Sequence, residues 1–136
     1  TVSFNKSLAW QCEDTNLKLT TTVEDLVDVF KLRSEIYTDI NYQKEFPDTI
    51  EGLNFDIFDK SSAIIFCKTN NSVTGTGRLI FDSPNKLPSE NKFSFDEMRK
   101  THNTIGEISR LTIRHKTNGL NLDFKNLMKG IHNVFS

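Results

Sequence analysis

Charged residues interrupt two apolar stretches of this sequence that otherwise have the composition of β-strands. The first stretch, Val73 to Phe81 (VTGTGRLIF), carries Arg78. The second stretch, Ile105 to Ile113 (IGEISRLTI), carries Glu107 and Arg110. Arginine is rarely buried in a protein unless an acid pairs with it. Two such interruptions in neighbouring strands therefore indicate a cluster of charges on a sheet, which occurs in active sites and in purely structural ion networks.

The alternation of side chains along a strand limits how these charges can meet. Alternation assigns Glu107 and Arg110 to opposite faces of the second stretch, and it places Val73 on the face opposite to Arg78. One site can hold both Glu107 and Arg110 only if a β-bulge shifts the alternation between them, and bulges are frequent beside active sites. A second interpretation of Arg78 stays open, namely an edge strand whose arginine lies in water, because exposed arginines are common.

Length and composition indicate one soluble domain that spans residues 1 to 136. The chain is 36% hydrophobic and 26% charged, which allows a buried core, and its net charge of −1 gives no general reason to expect binding to nucleic acid or an anionic membrane. Its two cysteines, Cys12 and Cys67, are too few for a disulfide framework, which fits a reducing cytoplasm. The sequence predicts no signal peptide, and no apolar run in it approaches membrane-spanning length. The chain begins at Thr1 instead of methionine, which suggests a trimmed sequence.

Periodicity predicts the elements that must position the charges. A short apolar run, Ala63 to Lys68, should pair with the two charged stretches as adjacent antiparallel strands. Further strands are predicted around Ser7 to Gln11 and Leu17 to Thr21. A helix should begin after Thr22, whose spacing to the acid three residues later is typical of an N-terminal cap. A second helix, Leu120 to Phe135, is expected to pack across the sheet.

The first predicted helix carries an apolar stripe that includes an arginine. The stripe recurs at spacings of three and four residues and consists of Val23, Leu26, Phe30, Arg33 and Tyr37. An arginine in such a stripe can lie at its margin with the head group in water. The alternative is a guanidinium that is paired inside the fold.

The segment from Asn41 to Lys60 is long, aromatic and acidic, and long ordered loops are more often functional than passive. Its acids Asp56 and Asp59 lack the spacing of a calcium-binding loop. The histidines also form no metal-binding pair on one helix or strand, and these are His102, His115 and His132. We therefore expect no metal ion.

Several motifs in a fixed order resemble a family of acyltransferases. Leu32, Arg33 and Tyr37 match an LRxxxY/F pattern, which is followed by GLNFDIFD, TGTGRLI, LPSE and EISRL. This order is similar to that of N-acyl amino acid synthases, exosortase-associated acyltransferases and acyl-homoserine-lactone autoinducer synthases, all of the GNAT superfamily. The resemblance covers about Leu32 to Leu120. It implies an α/β (α+β) fold with a central, mostly antiparallel sheet flanked by helices, and we expect the C-terminal part of that fold to be missing here.

The resemblance also implies roles for individual residues. Glu107 would accept the proton of the attacking amine as a general base, with Arg78 and Arg110 in the same catalytic group. Lys116 and Gly119, in the turn KTNGLN, would meet the phosphates of the acyl donor. Backbone N–H groups at a bulge would stabilise the oxyanion. A substrate-binding group would surround the acceptor and consist of Arg33, Tyr37, Asp56, Asp59 and Ser109.

The activity implied by the resemblance is N-acylation without a covalent acyl-enzyme. A long acyl group would move from a phosphopantetheine thioester, on acyl-carrier protein or in acyl-CoA, to the amine of an amino acid or a similar acceptor, and no permanently bound cofactor is implied. Three alternatives stay open: an acyl-homoserine-lactone autoinducer synthase, a degenerate non-catalytic binding module, and an ordinary acetyltransferase. The long segment from Asn41 to Lys60 argues against the last. An incomplete fold would expose a sheet edge and favour self-association.

Overall fold

A computed structural model describes residues 1–8, 17–39, 48–50, 53–69, 71–102, 104–113 and 127–129. Two short 3₁₀-helices, Asp59–Ser61 and Pro88–Asn91, accompany the regular elements. In chain order, the helices and strands of these residues are α1 (Val2–Ser7), β1 (Leu17–Leu19), α2 (Val23–Asp39), β2 (Asp48–Ile50), β3 (Leu53–Phe55), β4 (Ser62–Thr69), β5 (Ser72–Phe81), α3 (Asp96–Thr101) and β6 (Gly106–Ile113).

Within the described part of the chain, the main sheet has four antiparallel strands in the order β1-β4-β5-β6. The predicted antiparallel arrangement of the three apolar stretches is therefore confirmed. At the tight turn between β4 and β5, Asn71 has φ 64, a left-handed conformation that asparagine tolerates better than most residues. Because β5 lies between β4 and β6, the interpretation of Arg78 as a solvated arginine on an edge strand is wrong.

Helix α2 covers one face of the sheet, which we call the α2 face. It begins as predicted, because the Thr22 hydroxyl accepts a hydrogen bond from the Asp25 N–H at 3.1 Å. The stripe prediction is wrong for Val23, the first residue of the helix, which is 67% exposed. The core between α2 and the sheet consists of Val29, Phe30, Leu32, Ile64, Phe66 and Val73.

The opposite face of the sheet carries a second apolar core. Leu127, one of three helical residues described near the C-terminus, is fully buried in it. This agrees with the predicted helix from Leu120 to Phe135, of which residues 120–126 and 130–135 lie outside the described ranges. The other buried members of this core are Leu17, Leu19, Ala63, Ile65, Cys67 and Leu79.

The N-terminus differs from the sequence prediction. Ser7 was expected to open a strand that reaches Gln11, but it ends the helix α1, and residues 9–16 lie outside the described part. Long-range hydrogen bonds fix α1 in place: Asn5 Nδ2 donates to the Ser62 carbonyl at 2.9 Å, and Asn5 Oδ1 accepts from the Ile64 N–H at 3.0 Å. The buried Asn5 amide thus pairs with β4 beyond the end of β1, as a neighbouring strand would.

A β-bulge in β5 corrects the predicted face of Val73. Cys67 pairs with Gly75 while Lys68 pairs with Val73, so Thr74 is an extra residue on β5. The extra residue reverses the alternation, and Val73 packs on the α2 face with Arg78 instead of opposite to it. Strict alternation misplaces Val73 because it assumes a strand without insertions.

Candidate active site

A second bulge, in β6, brings the charged residues together. Arg78 pairs with Ser109 and Thr76 pairs with Thr112, so Arg110 and Leu111 both lie opposite Gly77. Arg110 has φ 51, which places it in the left-handed region that most residues avoid. The bulge that the sequence required between Glu107 and Arg110 is therefore confirmed, and Arg110 is its strained residue.

The β6 bulge changes which side chains share a face. Glu107 pairs with Ile80, so it lies on the same face as Arg78 and Ser109. After the bulge the alternation reverses, so that Arg110 reaches the α2 face while Leu111 joins the core on the opposite face. One face of β6 consequently presents a carboxylate, a hydroxyl and a guanidinium within four consecutive residues.

Arg33 is the most deeply buried charge of the site. Its guanidinium holds Asp59 with two parallel hydrogen bonds, Nη1 to Oδ1 at 2.8 Å and Nη2 to Oδ2 at 3.2 Å. The Arg33 side chain is 1% exposed, and its Cζ lies 4.8 Å from the centroid of the Phe30 ring. The interpretation of Arg33 as a marginal residue with its head in water is therefore wrong, because the acid that pairs with it comes from a distant segment.

Arg78 connects both acids of the site to the sheet. Its Nη1 donates to Asp56 Oδ1 at 2.6 Å and to Asp59 Oδ1 at 3.0 Å. Its Nε donates to the Ser109 hydroxyl at 3.0 Å. The Arg78 side chain is only 2% exposed, so these acceptors satisfy a charge that burial would otherwise make costly.

Arg110 forms the most exposed end of the network. Its Nη2 donates to Asp56 Oδ2 at 3.0 Å, and its Cζ lies 5.6 Å from the centroid of the Tyr37 ring on α2. The Arg110 side chain is 14% exposed, compared with 1% for Arg33 and 2% for Arg78. Arg110 is therefore the arginine of the network that best combines pairing with access to a ligand.

A short turn sets the spacing of the two acids. The Asp59 Oδ2 accepts a hydrogen bond from the Asp56 N–H at 3.0 Å, and the Asp56 Oδ1 accepts one from the Phe58 N–H at 3.0 Å. Each carboxylate thus folds back on the turn between β3 and the Asp59–Ser61 helix. This explains the spacing of three residues, and it shows that part of the predicted loop from Asn41 to Lys60 is a hairpin, β2–β3, followed by this turn.

The network holds three guanidinium groups and two carboxylates, so one positive charge is in excess. Burial by itself would raise the pKa of Asp56, but hydrogen bonds and charges from Arg78 and Arg110 hold that pKa below its ordinary value. Burial lowers the pKa of Arg33, although the charge of Asp59 opposes this effect. Burial acts in the same direction on Arg110, whose pKa is nevertheless raised by Asp56 and Tyr37.

Glu107 lies on the α2 face of β6 and is partly exposed. Its Oε1 accepts a hydrogen bond from the backbone N–H of Ser89 at 3.1 Å. The structure brings seven predicted residues together between α2, the turn after β3 and one face of the sheet, and Glu107 lies alongside them. The seven are Arg33, Tyr37, Asp56, Asp59, Arg78, Ser109 and Arg110. Lys116 and Gly119, the predicted phosphate contacts, lie outside the described residues.

The sequence prediction missed a second charged cluster, centred on Arg99. Arg99 pairs with Asp82 through Nε to Oδ2 at 2.7 Å and Nη2 to Oδ1 at 2.8 Å. It also pairs with Glu90, through Nη1 to Oε2 at 2.9 Å and through a close contact between Nη2 and Oε1, and with Asp96 at 3.0 Å. The LPSE motif contains Glu90, so the motif was visible in the sequence, but nothing in the spacing showed its partner.

Among the residues that the structure describes, no three histidine, cysteine, aspartate or glutamate side chains come together in a way that could hold a metal ion. No helix in the same part of the chain is both long and apolar enough to cross a membrane.

Two solved structures are similar to this protein in fold. The structure of FeeM, an N-acyl amino acid synthase from uncultured soil microbes, is similar with a TM-score of 0.61 and 12% identity, over 85% of this chain and 64% of that one. The crystal structure of the acyl-homoserine-lactone (AHL) synthase LasI gives a TM-score of 0.57 and 17% identity, over 87% of this chain and 66% of that one. The protein therefore has the GNAT-like fold of these acyltransferases.

A family model identifies the group within this class. The model described as N-acyl amino acid synthase FeeM matches residues 28–135, and the chain belongs to that family. No protein of curated function matches the chain significantly in sequence. The chain spans just under two thirds of the length of the two solved structures.

Proposed function

We propose that this protein takes part in N-acylation, in which a long acyl group moves from a phosphopantetheine thioester to the amine of an amino acid or a similar acceptor. The observation that carries the proposal is the ion network of excess positive charge beside Glu107 on one sheet face, in a chain of the FeeM family. An amino acid supplies both an amine to be acylated and a carboxylate to be bound. The site offers the carboxylate of Glu107 to the amine and a guanidinium of the ion network to the acceptor carboxylate.

In this proposal the arginines divide their tasks according to burial. Arg33 and Arg78 are fully buried and fix the turn that carries Asp56 and Asp59. Arg110 is the most exposed of the three, so it binds the carboxylate of the acceptor. Tyr37, beneath the Arg110 guanidinium, limits the directions in which that group can point.

Glu107 acts in this proposal as the general base. An ammonium group cannot attack a thioester, so the acceptor amine must lose a proton to a carboxylate directly or through one water molecule. The amine then bonds to the thioester carbon, the carbon–sulfur bond breaks, and the thiol of the phosphopantetheine arm leaves with a proton. Glu107 lies on the same face of β6 as Arg110 and is accessible to solvent, so both substrate groups can be met from one side of the sheet.

The donor is acyl-carrier protein or acyl-CoA in this proposal. Its phosphates are assigned to the turn that the sequence predicts at Lys116 and Gly119, because a glycine turn that leads into a helix would offer backbone N–H groups and the positive end of a helix dipole. Support for this assignment comes from the sequence resemblance and the family membership. The oxyanion formed at the thioester carbon would accept hydrogen bonds from backbone N–H groups at the β6 bulge.

The experiment that tests the proposal is an acyl-transfer assay with defined donors and acceptors. The purified protein is incubated with long-chain acyl-carrier protein, long-chain acyl-CoA or acetyl-CoA, and with a panel of amino acids or S-adenosylmethionine, and amide products are identified by mass spectrometry. The proposal expects a long-chain N-acyl amino acid. A homoserine-lactone product would establish the autoinducer-synthase alternative instead. Donor binding without any product would establish the binding-module alternative.

A further inference from the structure

We infer that the Pro88–Asn91 helix is a positioning element for Glu107, with the Ser89 N–H as the contact and Arg99 as the residue that holds the contact in place. The inference rests on the proposed role of Glu107 as the general base. It assigns a function to the Arg99 cluster, which lies outside the ion network of the site.

The contact between Ser89 and Glu107 fixes one carboxylate oxygen. The Ser89 N–H donates to Glu107 Oε1 at 3.1 Å across a sequence separation of 18 residues. A glutamate side chain has three rotatable bonds, so an unheld carboxylate would sample several positions beside the strand. Because the donor is a backbone group, its position follows from the fold of the helix that carries it.

The Pro88–Asn91 helix is itself anchored to the sheet. Leu87, which caps it, is 3% exposed and packs in one apolar cluster with Ile80 and Ile105. The Glu90 Oε1 accepts a hydrogen bond from the Leu87 N–H at 3.0 Å, which closes the first turn of the helix. Ile80 is the residue that pairs with Glu107, so the anchor and the contact lie at the same level of the sheet.

Arg99 ties this helix to the end of the sheet. One guanidinium holds Glu90 of the helix and also Asp82, the residue that follows β5. The Asp82 N–H in turn donates to the Ile105 carbonyl at 3.2 Å, immediately before β6 begins. Arg99 therefore connects the helix that carries Ser89 to the end of β5 and, through Asp82, to the chain just before β6, two residues before Glu107.

Positioning of this kind affects turnover more than binding. A displacement of about 1 Å in a catalytic group can lower the rate on the order of 10²-fold, because the reacting atoms no longer meet in line. The acceptor carboxylate is assigned to Arg110, which pairs with Asp56 in the ion network. Loss of the Ser89 contact should therefore lower kcat and leave the KM of the acceptor near its wild-type value.

The kinetic test uses substitutions that remove the donor or its support. Ser89→Pro deletes the N–H at the second position of the helix, whereas Ser89→Ala keeps the N–H. We expect kcat of Ser89→Pro to lie about 10- to 100-fold below that of Ser89→Ala, with acceptor KM within about twofold. Arg99→Leu should lower kcat in the same way, and Arg99→Lys should recover part of the loss. Lys100→Ala, an exposed neighbour on α3, should keep wild-type kcat.

An NMR measurement tests the contact independently of activity. In the full chain, Glu107→Gln should shift the Ser89 amide proton resonance, and the same substitution in an Arg99→Leu background should shift it much less. An insensitive Ser89 resonance would overturn the inference even in an active enzyme, as would unchanged kcat in folded Ser89→Pro and Arg99→Leu. If the wild type is inactive with every donor and acceptor but the resonance responds, the proposed function fails while the positioning contact stands. If Arg99→Leu does not fold, the inference is tested by kcat of Ser89→Pro and by the response of the Ser89 amide resonance to Glu107→Gln in the otherwise wild-type chain.

Discussion

Arg33 and Asp59 form a doubly hydrogen-bonded ion pair across 26 residues of sequence, with both side chains almost completely buried. The pair joins the middle of α2 to the turn that follows β3. Asp59 also accepts a hydrogen bond from Arg78, so a single carboxylate neutralises guanidinium groups from a helix and a strand. The geometry of the site and the packing of α2 on the sheet therefore depend on one another.

Removal of one member of this pair should strongly destabilise the fold. Asp59→Asn leaves the Arg33 guanidinium buried without its ionised partner, and loss of one partner from a buried ion pair costs about 3–5 kcal/mol. The free energy of unfolding in urea should fall by about that amount. Asp28→Asn, on the exposed side of α2, is the matched control and should change it by less than about 0.5 kcal/mol. Equal effects of the two substitutions would contradict the buried network.

The strained backbone at Arg110 predicts that glycine will be more stable than alanine at this position, which is the reverse of the usual order of stability. At φ 51, glycine avoids a clash that alanine cannot, so Arg110→Gly should be more stable than Arg110→Ala by about 1 kcal/mol. Lys100, inside α3, should show the opposite order, because glycine in a helix is about 0.5–1 kcal/mol less stable than alanine. Thermal unfolding of the four variants checks both orders. If alanine is also the better residue at 110, the bulge is absent.

The presence of a charged site on the sheet could be predicted from sequence, whereas the ion pairs that hold its residues in place could not. Arg78, Glu107 and Arg110 stand out because charge is unexpected in apolar strands, and the need for a bulge followed from side-chain alternation. The partners of Arg33 could not be derived from periodicity, because a helix stripe does not show which distant acid meets it. Only the resemblance to a family grouped it with Asp56 and Asp59.

The N-terminal helix shows a different limit of sequence reasoning. Its position depends on Asn5, whose amide bonds to β4 some 57 to 59 residues away. A single polar side chain that bonds to a strand leaves no periodic pattern, so sequence reasoning does not predict this helix and begins a strand at Ser7, the last residue of the helix. Val73 was misplaced for a related reason, because an inserted residue in β5 is invisible to a rule that assumes regular alternation.

Asn5 should therefore be important for stability despite its position near the N-terminus. Asn5→Ala would leave the Ile64 N–H and the Ser62 carbonyl without their side-chain partner, and a buried unsatisfied group costs about 1–3 kcal/mol. The midpoint of urea unfolding should drop accordingly. Lys6→Ala, one residue along and exposed, serves as the control. A wild-type midpoint for Asn5→Ala would show that α1 does not pair with β4 in solution.

The pKa values of the acids predict how stability depends on pH. The hydrogen bonds from Arg99 lower the pKa of Glu90 from 4.5 to about 2, and the pKa of Asp56 also lies below its ordinary value of 3.8. A lowered folded-state pKa stabilises the protein at pH values above the unfolded-state pKa, and this contribution is lost as the pH falls through the folded-state value. The free energy of unfolding should thus decrease as the pH falls from about 4.5 to about 2.

Substitution of Glu90 tests the origin of this acid sensitivity. Glu90→Gln should be less stable than wild type at pH 7, and the difference should shrink as the pH approaches 2, because protonated Glu90 resembles glutamine. Urea unfolding at a series of pH values provides the measurement. Glu97→Gln, which removes a surface partner of Lys100, is the control. A difference between wild type and Glu90→Gln that is constant with pH would rule out the ionised pair as its source.

The proposed general base gives a prediction for activity. Glu107→Gln should lower acyl transfer by about 10²- to 10⁴-fold, the range typical of a lost general base, while binding of the acyl donor is retained. Glu97→Gln, an exposed carboxylate elsewhere on the surface, is the matched control. The readout is amide formation together with donor affinity. Wild-type turnover in Glu107→Gln would remove Glu107 as the base.

The doubly shared carboxylates also constrain how such a protein can diversify. Asp56 serves Arg78 and Arg110, and Asp59 serves Arg33 and Arg78, so replacement of either acid takes the network carboxylate away from one guanidinium and leaves Arg78 with only one acid. A lineage could exchange these residues only through several coordinated changes, each intermediate being poorly folded. New acceptor preferences should therefore arise around the rim of the site, at positions such as Tyr37, while the ionic centre is inherited unchanged.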